Sequence, residues 1–498
     1  MTRALGQATG SSSPTTQLPA DGRAFGVRLM APLLLGSLLN PVNSTMIATA
    51  LVAIGHGFGV GAADTAWLIA SLYLASAVAQ PTMGKLADLL GPRRVFLAGL
   101  VITLAAGVVG AAAPAFGWLI ASRVLLGIGT SAAYPCAMAL LRAEASRLGR
   151  PVPRPVLARL SLAALGSAAT GPVLGGLLAA TVGWRAIFAV NVPIALAGLA
   201  LALLWLPKDA RAEDARGEDA RGESTVGPAD PAADVTHAPD RPRRTGRGAS
   251  IDALGILLFA AALTTAMLFL MELAHPRWVL LVPFAVLAAA FVRWQLRRPA
   301  PFLDLRMLAR HRPLVLTYLR HGLTYLVIYC VMYGFAQWLE ESHGFSSFQS
   351  GLIMLPMSLA AALCSLLGAR TKGIRGPLML TAVLLLAGAG MLAIAHGSTP
   401  LAVLLAASVL FGLPQGLAGT SNQAAVAAQA PADGVGAAAG LQRTSQYLGA
   451  ITASSLIALF YGHQADDAGL HLIAVTTAVL SLALCVLTVT DRALHGRS

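Results

Sequence analysis

The sequence predicts an all-α polytopic membrane protein with fourteen transmembrane helices in a six, two, six arrangement. Three observations predict it. First, 56% of the 498 residues are apolar and only 11% are charged, against about a quarter charged in ordinary soluble domains. So few charges cannot cover a soluble surface. Second, Asp, Glu, Lys and Arg are all absent from 29–63, 95–122, 160–184, 186–207, 253–271, 376–432, 444–465 and 468–490. A bilayer-crossing helix needs about 20 apolar residues. Third, the basic residues are sorted. With the N-terminus cytoplasmic, 30 of the 35 Lys and Arg fall in cytoplasmic segments. Two, Arg185 and Arg277, fall in outer loops, and three, Arg123, Arg320 and Arg443, lie inside spans. Positive charge stays on the cytoplasmic side, so both termini are expected there, in a multi-pass plasma (inner) membrane protein. The same sorting accounts for the net charge of +13 with a lipid bilayer and no nucleic acid as partner.

The elements follow in chain order. Residues 1–24 are rich in Ser, Thr and Gly and lack an apolar core, so they read as a disordered cytoplasmic tail and not as a signal peptide. Residues 25–206 hold six spans, near 27–50, 65–84, 95–114, 118–141, 156–180 and 185–206. Residues 207–249 contain nine acids and eight bases with almost no large apolar side chains. Such a segment cannot bury a core and reads as a disordered linker. Residues 250–298 supply two extra spans, near 251–272 and 278–296, the second anchored by Trp278 and Trp294 with Arg293 snorkelling. Residues 299–312 form a basic amphipathic stretch expected at the cytoplasmic interface. Residues 313–490 hold the last six spans, near 313–339, 348–369, 377–396, 400–428, 434–461 and 470–490, and 491–498 form a cytoplasmic tail. Cys136, Cys330, Cys364 and Cys485 are too scattered for a disulfide framework or a zinc site.

Three motifs carry more specific information. Between spans two and three stands Gly84-Lys85-Leu86-Ala87-Asp88-Leu89-Leu90-Gly91-Pro92-Arg93-Arg94. Its glycines allow a tight turn. Asp88 is placed to pair with Arg93 or Arg94, or to face the positive N-terminus of a neighbouring helix. Span four carries Arg123-Val124-Leu125-Leu126-Gly127, a charge that needs a partner because hydrocarbon penalises it by about 2.5–3.5 kcal/mol. Span five carries Gly166 and Gly171-Pro172-x-x-Gly175-Gly176, residues that let a helix bend and pack closely. Beyond it runs Trp184-Arg185-x-x-Phe188-x-x-Asn191-x-Pro193, and later come Gln337 and Leu352-Ile353-Met354-Leu355-Pro356.

On these residues the chain resembles the major facilitator superfamily, and within it the fourteen-helix drug:proton antiporter branch of EmrB/QacA type. The resemblance implies two six-helix bundles around a central cavity that alternately face the two sides. It implies a conformational gate loop at Gly84, Asp88, Gly91, Arg93 and Arg94. It also implies a proton-linked Arg123, and a span-five hinge at Gly166, Gly171, Pro172, Gly175 and Gly176. No Walker sequence occurs, so an ion gradient, of protons in the family, would drive transport without any cofactor. The expected partner is a small-molecule substrate. The protein is expected to act as a monomer, with room for accessory efflux subunits. No nucleophile–base pair or metal cluster supports an enzyme.

One position departs from the branch. Its span-one pattern D-x-T-x-x-x-x-A-L reads Asn43-Ser44-Thr45 through Ala50-Leu51 here. Asn cannot titrate. The charges inside spans are instead Arg123, Arg320 and Arg443, with His321 beside Arg320; these four are the coupling candidates, and Glu340 and Glu341 at the outer end of span nine are a second pair to carry the proton. The sequence nominates Asn40, Asn43, Tyr73, Gln80, Tyr325, Tyr329, Tyr333, Asn422, Gln423 and Gln446 to line the cavity. Tyr325, Tyr329 and Tyr333 recur every four residues and so share a helix face. Pro41 beside Asn40 predicts a local break in span one. The leading expectation is a proton-coupled exporter of small, largely lipophilic compounds. A second is an exporter of an anionic or lipid-like metabolite with atypical coupling or none. A non-transporting scaffold or sensor is the least favoured.

Overall fold

The computed structural model describes residues 25–149, 152–209, 252–299, 301–368, 373–430 and 435–494. The tail expected at 1–24, residues 495–498 of the tail expected at 491–498, and the expected linker from 210 on lie outside them. Every regular element among the described residues is helical. The first half contains α1 (Val27–Met46), α2 (Leu51–Phe58), α3 (Ala62–Leu90), α4 (Pro92–Ala111), α5 (Phe116–Ser131), α6 (Ala133–Arg147), α7 (Arg154–Thr181), α8 (Arg185–Ala189) and α9 (Asn191–Trp205). Two helices follow, α10 (Ala253–Met271) and α11 (Leu281–Arg297), then a short α12 (Leu305–Arg310). The second half contains α13 (Arg312–Glu341), α14 (Ser347–Gly368), α15 (Arg375–Leu392), α16 (Leu401–Gln429), α17 (Val435–Tyr461) and α18 (Asp467–Thr490).

Twelve of these helical stretches are long and apolar enough to cross a membrane, or thirteen when α1 and α2 count as one bent span. The expected fourteen is not reached on that measure. The stretch read as span 434–461 is the 27-residue α17, whose Gln442, Arg443 and Gln446 face an internal cavity and lower its apolarity. Span one also differs from expectation. α1 runs through Pro41, and the break comes later, at the 3-10 turn Ile47–Thr49, where the chain bends by 62° into α2. A helix end leaves its last carbonyls without intrahelical partners, and the site below uses two of them.

The halves meet where α3 packs on α17 and α7 packs on α14. The 84–94 turn, both ends of the 207–252 stretch and α12 share one end of the molecule, termed the basic end. At the opposite end a single apolar core runs through both halves, from Ile47, Leu51 and Trp184 to Trp338, Ile457 and Leu470. Backbone bonds also cross there: Ala62 N–H donates to His463 O (3.1 Å) and Ala63 N–H to Gly462 O (2.7 Å). At the basic end the first half has its own core around Leu33, Phe96 and Leu141, and the second a small one at Leu314, Tyr318, Val426 and Ala438. Shared burial seals one end, and separate burial leaves a space between the halves toward the other. The extra pair stands outside: α10 touches α3 and α17, while Val279, Val282 and Val286 stay exposed. The ring N–H of Trp294, at the end of the second extra helix, donates to Asp252 at 2.7 Å.

Candidate functional site

The space between the halves is a cavity of about 310 Å³, at the lower end of the range for small-molecule sites. Asn40, Tyr73 and Gln80 line it from the first half, and Tyr325, Tyr329, Gln423 and Gln446 from the second. These are seven of the ten nominated residues. The other three sit behind the wall. Tyr333 is fully buried, against Tyr73 and Tyr329 of the wall. Its hydroxyl donates to Ser44 O (2.7 Å), so at the 2.9 Å contact it accepts from the Tyr73 hydroxyl. The shared helix face is confirmed: the rings of Tyr325, Tyr329 and Tyr333 follow one another at 5.7 and 5.8 Å, the last two stacked at 17°. Gln446 Nε2 donates to Tyr329 (2.8 Å), and the Tyr447 hydroxyl donates across the halves to Gln80 Oε1.

The three intramembrane arginines separate in the structure. Arg443 is exposed into the cavity, which Tyr134, Tyr325, Tyr329 and Tyr447 also line. Among the described residues no carboxylate lines this cavity. His321 lines it too, with its ring 4.7 Å from Tyr325 and its Nδ1 buried without a hydrogen-bond partner. Arg320 does not reach the cavity. It is 1% exposed and pairs with Asp491 (Nη1 to Oδ2, 3.1 Å), while Asn422 Oδ1 accepts from Nε (3.2 Å) and Thr317 Oγ1 from Nη2 (3.0 Å). Asn422 is thereby an arginine clamp and not a cavity residue. Asp491, taken from sequence as the start of the tail, is 4% exposed and belongs to the folded core.

Arg123 is equally buried and has no acid partner among the described residues. Its Nε donates to Leu68 O (2.9 Å) and its Nη1 to Asn43 O (3.0 Å), one of the carbonyls at the open end of α1; its Nη2 has no partner. The Asn43 side chain points elsewhere. It forms a reciprocal amide pair with Asn191 (Nδ2 to Oδ1 2.6 Å one way, 2.9 Å the other) and donates also to Leu39 O (2.8 Å). Both residues are essentially unexposed. The position where an acid was expected is therefore a closed amide lock that does not line the cavity.

The span-five glycines mark a three-helix junction. A Cβ on Gly171 would lie 1.8 Å from Thr45 Oγ1, and one on Gly175 would lie 2.2 Å from Met46 O, both on α1 just before its break. A Cβ on Gly176 would lie 2.3 Å from Ser347 O, and Gly351 meets Pro172 O in the same way. α1, α7 and α14 thus meet at backbone distance, and the Thr49 hydroxyl donates to Pro172 O (3.0 Å). Gly166 takes no part: it is exposed, and nothing lies within 4 Å of a Cβ there.

The 84–94 segment departs from the expected loop: α3 runs through Gly84 to Leu90 and α4 starts at Pro92, so Gly91 alone makes the turn, and the expected ion pair is absent. Gly91 has φ +95°, a conformation suited to glycine. Asp88 is exposed and does not pair with Arg93 or Arg94; the charge acting on it is Arg142. The anion at the N-terminus of α4 is Asp209, whose two oxygens each accept a backbone N–H, of Arg93 and Arg94, at 3.0 Å. Arg93 turns to donate to Leu203 O (2.9 Å). Gly84 makes only ordinary contact with Pro135.

Sequence reasoning missed Asp491 and Asp209 and took Asn191 only as a motif letter. The signals were present. Arg320, about 12 Å into its helix, needs a counter-charge from the same end of the molecule. An Asp shortly after span six falls, in the expected topology, on the same side as the N-terminus of span three, which it caps.

Comparisons with known proteins agree with this architecture. Residues 33–454 match the Major Facilitator Superfamily. An uncharacterized MFS-type transporter of Bacillus subtilis, YwoD, is 32% identical over 92% of this chain and 95% of its own. A tetracenomycin C resistance and export protein of Streptomyces glaucescens is 28% identical over 91% and 80%. Among solved structures, the xylose transporter XylE from E. coli, in a partially occluded inward open conformation, superposes with a TM-score of 0.59 at 12% identity, over 91% and 96%. A helical membrane scaffold with a cavity between two halves, matched along nearly its whole length, identifies a transporter and not an enzyme: the chain belongs to the major facilitator superfamily.

Proposed function

We propose that this chain is a fourteen-span exporter of the drug-efflux branch. Its two six-helix bundles expose the central cavity alternately to the two sides, with the basic end cytoplasmic. The observation that carries this reading is the cavity itself: it lies between halves that share a core at one end only. The junction of Gly171, Gly175 and Gly176 with α1 and α14 supports a hinge there. The relative named for tetracenomycin C resistance and export supports a small-molecule cargo. The tyrosine wall suits such a cargo, and Arg443 without a lining carboxylate favours neutral or anionic compounds over cations.

The energy source is the proton gradient in the first reading, with His321 as the titratable side chain on the cavity wall. A second reading, transport without a first-half proton relay, is favoured by the Asn43–Asn191 lock. Purified protein in proteoliposomes, assayed with and without a pH gradient on matched anionic and cationic aromatic substrates, separates them. Uptake driven by the gradient and abolished in His321→Ala supports the first reading, and gradient-independent counterflow the second. Preference for lipophilic cations overturns the assignment of substrate charge.

A further inference from the structure

A second cavity, of about 300 Å³, lies at the basic end where α11 gives way to α12. Arg298, Arg306, Arg310, His311 and Asp304 line it. Its back wall is anchored by a buried carboxylate. Asp252 accepts from Gly255 N–H (3.0 Å), Trp294 Nε1 (2.7 Å), Gln295 Nε2 (3.0 Å) and Phe302 N–H (3.2 Å). Gln295 Oε1 takes Leu303 N–H (3.3 Å), and Lys85 Nζ donates to Pro301 O (2.8 Å). Segment 301–303 is thus pinned between the extra helix pair and the 84–94 turn, and α12 closes the cavity on the other side.

Its charges are not balanced. The one lining carboxylate, Asp304, uses an oxygen to cap α12 at Met307 N–H (2.9 Å). Arg298 Nε is buried without a hydrogen-bond partner and stands 3.8 Å from Asp252, whose oxygens are already occupied. Arg306 reaches Leu296 O, and Arg310 is exposed. Three guanidiniums therefore border a space with two acids, Asp304 on the wall and Asp252 behind it, paired with Arg298, and one positive charge is left over. The flank is apolar: Leu254, Leu257, Val292 and Leu296 are exposed on α10 and α11. A soluble anion gains nothing from that flank. A phosphate carrying acyl chains covers it.

We propose that this cavity binds the headgroup of an anionic membrane phospholipid, the phosphate held by Arg298, Arg306 and Arg310 and the acyl chains lying along α10 and α11. The proposal depends only on the chain being a membrane protein, so it stands or fails separately from the transport reading.

The test is native mass spectrometry of the full-length protein in detergent, titrated with phosphatidylglycerol or phosphatidylcholine. Wild type is expected to retain phosphatidylglycerol in preference to phosphatidylcholine. R306Q/R310Q should weaken that retention about thirtyfold, from roughly fivefold per guanidinium at a membrane surface, and R306K/R310K should keep most of it. Both side chains are exposed, so an unchanged unfolding midpoint is expected. If the double variant does not fold, R310Q alone carries the test with about a fivefold loss. Equal retention of the two lipids, or no effect of removing the arginines, reduces the contact to an apolar annulus and overturns the proposal. Displacement by millimolar inorganic phosphate would make it a site for a soluble anion and overturn it equally.

Discussion

Arg123 and Arg320 are buried to the same 1%, yet the two halves hold them differently. The second half neutralises its charge: Arg320 has a carboxylate, an amide and a hydroxyl around it. The first half keeps its charge, because Arg123 rests on two backbone carbonyls and leaves one nitrogen unpartnered. The chain geometry explains the contrast. The break after Met46 opens carbonyls at the end of α1, so dipoles are available beside Arg123. α13 runs unbroken from Arg312 to Glu341, so Arg320 needs a side-chain acid. The difference teaches that the missing acid at Asn43 is offset by backbone and not by another residue.

The comparison can be broken in four ways, taken from the largest effect down. Asp491→Leu strands a buried guanidinium and should cost about 3–5 kcal/mol, read from denaturant unfolding in detergent; R320M/D491L should recover most of it. A loss below about 1 kcal/mol would mean that the pair is not what holds this end together. Arg123→Met frees two carbonyls but also removes an unpaired charge. A smaller loss follows, about 1.5–3 kcal/mol, and a loss as large as that of Asp491→Leu would erase the distinction between the halves.

Asn43→Asp puts a carboxylate into the first half, where it faces Asn191 Oδ1 and regains the amide pair only when protonated. Transport by this variant should become pH-dependent, by up to about tenfold per pH unit, the limit for one proton. A pH profile identical to wild type would show that the position does not report to the cavity. Arg443→Gln completes the series, since this guanidinium is exposed and its removal should change stability by less than about 0.5 kcal/mol. Its effect is expected in transport kinetics: KM for an anionic substrate should rise about tenfold over that for a neutral analogue, equivalent to about 1.4 kcal/mol. Equal KM changes for the two would place Arg443 outside the substrate's reach.

Much of the fold was legible because it is written locally. Spans follow from runs such as 95–122 and 468–490, whose composition meets the bilayer without reference to any neighbour. The tyrosine face of α13 follows from helical spacing alone. The site was legible in part. Tyr325, Tyr329, Gln423 and Gln446 line the cavity as read, because polar residues on a span usually turn from lipid. Asn43, Asn422 and Tyr333 obey the same rule but are taken by buried partners 148, 102 and 289 residues away. Nothing in a single sequence ranks a cavity above such a partner.

Gly166 and Gly171 make the same point within one motif. They are alike as letters, yet one faces open space and the other touches Thr45. The sequence by itself determined what depends on chain-local chemistry: the apolar helices, the long runs without charge between them, and the three arginines that need an explanation. Only the tertiary structure decided which arginine is neutralised, which rests on carbonyls and which faces the cavity. Pairing a buried charge requires groups to meet within about 3 Å, and contacts between residues far apart in the chain set that distance.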